Sequence, residues 1–350
     1  MSTLFRALMT FSIIFATSTL IGCKRDASSK RKVNLAIWGN YISPTQVTDF
    51  EKQTGIKLNI SNYTSNEELL AKVQAGAASI DVAVPSDYMV SIMSKLGLLA
   101  SLDKAQIPNF AELKPELLNL PFDPGNVFSV PYSWTTAGIA VNRALYKGEI
   151  KGWKDIFEQN ELAGRISLLD DVREVAAAAL KYHGYSVNTT NKSELKKAEE
   201  TLLKVKPRVK MFRSDVTDSL RKKEVAVAQA YSSDTLQAAA DSGDPIEYIL
   251  PEEGGTRAID TLVIFKNAPH PKEAHELVNY MIGRDYNVTF VKTMWGGPVV
   301  KGTRDLLPEN VKTNAALFPS EAKLTKFESI VDVGEATQLF DELWTKIKTE

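Results

Sequence analysis

The run FSVPYSWTTAGIAVNRAL, residues 128–145, decides how this chain is divided. It is long, rich in β-formers and poor in turn signals, whereas most strands are five or six residues long. Strand–helix series flank it on both sides. Upstream, VNLAIW (33–38) ends in the turn-forming GNYISP, and TQVTDFEKQTG (45–55) shows helical spacing with Gly55 as a stop. IKLNISNY (56–63) alternates like a strand, and SNEELLAKVQAG (65–76) opens with Ser65 and Glu68 at capping-box spacing. IDVAVPS (80–86) and DYMVSIMSKLG (87–97) repeat the strand–helix unit. Downstream, RISLLD, the helix after Asp171, KSELKKAEETLLKVK and EVAVAQAY form a second series. A second long run, IDTLVIFKNAP (259–269), is followed by PKEAHELVNYMIG and further helical stretches ending in ATQLFDELWTKIK. Such alternation predicts parallel sheets flanked by helices. Two α/β units joined by extended segments near 135–142 and 258–263 predict two lobes, a cleft and hinges.

Composition narrows the function. The 350 residues are 44% apolar and 24% charged with a net charge of −1, so the body carries no basic field for nucleic acid. The first 22 residues carry Arg6 and an apolar stretch too short to span a bilayer, the pattern of an export signal. Cys23, the only cysteine, closes LIGC; this resembles a bacterial lipobox, in which the thiol is lipidated. KRDASSKRK (24–32) follows as a basic tether at a membrane surface. PEEGGTR lacks P-loop spacing, and there is no GxGxxG after the first strand, no GxSxG and no HExxH. His183, His270 and His275 do not share ligand spacing and are read as surface or loop residues. Nothing supplies a nucleophile with a base, and no enzyme, cofactor or metal is expected.

The strand ends carry another inventory: Trp38, Tyr41, Tyr88 and Tyr231, with Asp87, Asp171, Glu174 and Asp260. Ligands of open α/β sheets bind at the carboxyl ends of strands. Aromatic faces attract ammonium groups and pack along methylenes, and carboxylates hold N⁺–H groups. The set therefore suits a long, multiply charged amine. Taken singly, each residue has a plainer reading. The aromatics can be core, Asp87 a helix cap, and Asp171 with Glu174 in LLDDVREVAAAAL a capping box. Asp260 stands apart, because an acid inside an apolar run is costly unless it is paired or faces a polar cavity.

From about residue 33 onward the chain resembles the bacterial polyamine-binding proteins, the spermidine/putrescine receptors of ABC importers. The resemblance rests on WGNYISP, FEKQTGIKL, YTSNEELLAK, DVAVPSDYMVSIM, LLNLPFDPGNVFSVPYSWTTAGIAVN, LLDDVREV, LKYHGYSVNTT, EEGGTRAIDTL and DVGEA. It implies an α/β fold of the two-lobed periplasmic-binding-protein type (type II) with two hinge crossovers. The implied division is 33–136 with 262–302 for the first lobe and 137–261 with 303–350 for the second. It also implies a monomeric, lipid-anchored receptor at the periplasm or cell surface that passes a polyamine to permease subunits. The alternative is a sensor on the same fold. By position, Trp38, Tyr41, Ser86, Tyr88, Asp171, Glu174, Tyr231 and Asp260 match the family's ligand contacts. Departures are Gly39 and Asn40 after the first Trp, Ala258 where spermidine receptors carry an aromatic, Ile330 for a Gln, and Trp295 beside the position of a Tyr.

Overall fold

The structure is a computed structural model, and it describes residues 31–39, 41–76, 79–214 and 216–349. The expected signal segment, Cys23 and Asn40 lie outside the described residues. Arg31 and Lys32, expected in the tether, belong to the folded body. Arg31 Nε donates to Glu273 at 3.0 Å, and Lys32 opens the first strand.

Among the described residues, nine strands form one sheet: β1 (Lys32–Trp38), β2 (Lys57–Tyr63), β3 (Val82–Ala83), β4 (Ser129–Asn142), β5 (Ile166–Leu168), β6 (Val209–Phe212), β7 (Val227–Tyr231), β8 (Ile246–Ile249) and β9 (Thr256–Ile264). Their order is β2-β1-β3-β9-β4-β7-β5-β6, with β8 also on β4. The ends of the sheet are parallel, as the strand–helix alternation predicts: β1 with β2 and β3, and β5 with β6 and β7. The middle is antiparallel, contrary to that expectation. β9 runs against both β3 and β4, and β4 runs against β7 and β8. The two long runs arrive from opposite directions, and no crossover helix sets them parallel.

β4 serves two cores. Its first half pairs β9 from Ser129↔Val263 to Ala137↔Thr256, and Val130 and Tyr132 pack with Leu35, Ile37, Phe50, Leu262 and Phe290. Its second half lies between β7 and β8, and Ile139 and Val141 pack with Trp153, Val175, Leu202 and Phe340. All but one of its 14 residues are buried, which explains the absence of polar alternation in the sequence. The chain returns between Ile249, against the second core, and Ile259, in the first. It crosses a third time after Leu317. Leu307, Val311 and Leu317, in the stretch expected with the second lobe, fill the first core. Phe340, Leu343 and Ile347 then join the second.

Local signals place the helices. Ser43 and Gln46 form a reciprocal capping box ahead of the helix Pro44–Thr54, which Gly55 ends at φ 69°. His275, read from sequence as surface, is buried, because its helix turns that face inward. Its Nε2 accepts the Asp103 N–H, and its Nδ1 lies 2.7 Å from Pro271 O. His270 pairs with the fully buried Asp81 at 3.0 Å.

Candidate ligand site

A cavity of about 220 Å³ opens where strand ends from both cores meet. Nine residues singled out from sequence line it: Trp38, Tyr41, Ser86, Asp87, Tyr88, Asp171, Glu174, Tyr231 and Asp260. The two departures Ala258 and Ile330 are wall residues as well. Trp295 is not among the lining residues. It caps the helix Arg284–Met294 in the left-handed region and packs against the first core.

Trp38 ends β1 and Tyr63 ends β2 in parallel register, so their rings meet at 4.6 Å. Both donate to Val84 O, Trp38 Nε1 at 2.8 Å and the Tyr63 hydroxyl at 2.5 Å, which fixes the rings as one wall. Asp260 lies on β9 beside Ser86, where the two form an isolated bridge. It accepts Tyr41 Oη at 2.7 Å and Ser86 Oγ at 2.8 Å, and Asn66 holds Ser86 in turn.

The second acidic group comes from the helix Val172–Tyr182. Asp171 is its N-cap, accepting the N–H groups of Arg173 and Glu174 at 2.9 and 3.0 Å. Glu174 does not close a capping box. Its carboxylate accepts Thr256 Oγ1 at 2.6 Å across the cavity wall. The plain reading of LLDDVREV therefore holds for Asp171 and fails for Glu174.

Burial sets the electrostatics. It pushes the Asp87 carboxyl up to about 7, with the Asp260 charge adding to the effect. It pushes Glu174 up to about 8, with Asp171 contributing. Asp171 and Asp260 are raised by the same loss of water. The partners described above for Asp171, Glu174 and Asp260 are hydroxyls and backbone N–H groups, and Asp87 accepts the Tyr88 N–H. Of the two guanidinium groups in the wall, Arg173 donates to Val331 O and Asn188 Oδ1 and lies 4.5 Å over Phe340. Arg257 lies 5.5 Å over Trp134. Charge buried this way is expensive, and an incoming cation removes the cost.

Sequence reading missed Tyr63, Asn66, Thr256 and Arg257. Tyr63 ends a strand like Trp38, so the strand-end rule was sufficient to find it. Asn66 and Thr256 support other residues, and their roles depend on pairings between distant segments. Among the described residues, no group of three or more His, Cys, Asp or Glu is placed to hold a metal ion.

Two cores bridged by a shared strand pair, with an acid-lined cavity between them, define a two-lobed solute receptor. The profile of the bacterial extracellular solute-binding proteins matches residues 45–319, and the chain belongs to that family. It is 35% identical over 314 residues to the spermidine/putrescine-binding periplasmic protein of Salmonella typhimurium, covering 89% of this chain and 90% of that one. It is 32% identical to a putrescine/cadaverine-binding protein of Pseudomonas aeruginosa, over 96% and 98% of the two chains. Among solved structures, it is similar to a putative spermidine/putrescine ABC transporter protein of Listeria monocytogenes. That match has a TM-score of 0.85 and 31% identity, and covers 91% of this chain and 99% of the other.

Proposed function

We propose that this protein captures a polyamine such as spermidine or putrescine and delivers it to the permease of an ABC importer. The observation that carries the proposal is three buried carboxylates, Asp87, Glu174 and Asp260, with the half-buried Asp171, facing one aromatic-walled cavity and partnered by hydroxyls and N–H groups. Ammonium groups complete that set, and the Trp38–Tyr63 wall packs on the methylenes between them. The names of the relatives support the same ligand class and a periplasmic location. In this reading residues 1–22 are an export signal, Cys23 carries a lipid that anchors the protein, and one chain acts alone.

Calorimetric titration of residues 24–350 with putrescine, spermidine and spermine, at low and physiological salt, tests the proposal. Saturable one-site binding is expected, and flat traces for all three overturn it. Metabolic labelling with a fatty acid, lost in Cys23→Ser, tests the anchor.

A further inference from the structure

The polyamine reading leaves the length of the ligand open, and Asp87 bears on it. Asp87 opens the helix Asp87–Lys95, is 3% exposed and lines the cavity. One of its oxygens accepts the Tyr88 N–H at 2.8 Å, and the Ile259 backbone and Ser329 side chain lie beside it. The family resemblance matches Asp171, Glu174 and Asp260 of this wall to ligand contacts and assigns none to Asp87.

β9 acts as a ruler. Thr256, Ala258 and Asp260 are two residues apart and all line the cavity. Thr256 holds Glu174 at one end, and Asp260 forms the other pole. At about 3.3 Å per residue, the four steps between these positions cover about 13 Å. With bond lengths near 1.5 Å, an extended chain advances about 1.25 Å per bond. On that measure a four-carbon diamine places its nitrogens about 6 Å apart, and a triamine with three- and four-carbon segments spans about 11 Å. A diamine engages one pole. A triamine reaches both and leaves its internal nitrogen between them. Asp87 adjoins Asp260 through the Ser86 bridge, and its contact with the Ile259 backbone sets it one residue from Asp260 on the side toward Thr256. Ala258 leaves the middle of the wall open.

We propose that Asp87 pairs with the internal nitrogen of a triamine and makes the site prefer triamines to diamines. The proposal rests on the polyamine reading. Its test compares spermidine with putrescine by calorimetry on the wild-type protein, Asp87→Asn and Asp87→Ser, with thermal melts to confirm folding. The wild type is expected to favour spermidine. Losing a charge-assisted contact should weaken spermidine by about tenfold or more and putrescine by less than about threefold. Equal losses for both ligands, no loss for either, or a wild type that favours putrescine overturns the assignment. The Asp87→Ser ratio decides the matter if Asp87→Asn melts early. A wild type that binds neither ligand overturns the polyamine reading itself, and the role of Asp87 with it.

Discussion

Asp260 shows how single residues carry the site. It is an acid inside an apolar strand, held by two hydroxyls that both donate to it. Asp260→Asn keeps the shape and removes the charge, so polyamine affinity should fall by about tenfold to a hundredfold with little change in melting temperature. Asp171→Asn combined with Asp260→Asn should abolish binding and leave the far-ultraviolet circular dichroism intact. The raised carboxyls also fix the sign of a pH effect. Asp87 and Glu174, at about 7 and about 8, keep protons in the empty fold that the unfolded chain has already released. The empty fold therefore loses stability as pH rises from about 4 to about 8. A bound cation favours the ionised forms, so binding releases protons and tightens with rising pH. Melts at pH 6 and pH 8, with and without spermidine, should show a larger ligand-induced gain at pH 8. A larger gain at pH 6 contradicts this account of the site.

Among the elements, the strands that cross between the lobes are the sensitive ones. Gly255 precedes β9, and a Cβ there would lie 2.5 Å from Ala137 O on β4. Gly255→Ala must spread the strand pair where it passes from one core to the other. A cost of about 1–3 kcal/mol is expected, measured as a shifted urea midpoint with an unchanged slope. The same elements show what could be read beforehand. The long, turn-poor run of β4 announced an extended strand, and Ser65 with Glu68 announced a helix start, because both signals are local. β6 and β8 were not foreseen. Each is four residues long and half-buried or exposed over most of its length, so its existence depends on neighbours supplied from elsewhere. The third crossing was missed for a similar reason. The segment around Val311 is short and irregular, and only its contacts show which core it fills.

At the scale of the whole molecule, contacts made without ligand join the lobes across the cavity. Lys95 of the first lobe pairs with Asp332 at 2.7 Å, and Tyr88 packs against Ile330 with Ala177 and Val187. The segment carrying Ile330 and Asp332 is fixed to the second lobe by Lys181, Ser186 and Asn188. Lys95→Ala with Ile330→Gln should enlarge the radius of gyration of the empty protein in solution scattering and leave the liganded value unchanged. The exposed ion pair alone contributes at most about 1 kcal/mol, so Lys95→Ala by itself should have a small effect.

The shared strand also constrains how the chain comes to fold. β4 is synthesised before the whole second core, yet β9, the partner of its first half, follows that core, and the first core still needs Leu307 and Leu317 afterwards. Contacts so distant in sequence make closure late and slow. A nascent chain that stops short of β9 holds an apolar strand with nothing to cover half of it, and should be degraded or held by chaperones. Under the export proposed for this protein, that delay is an advantage, because the topology keeps the chain open until its last third has emerged.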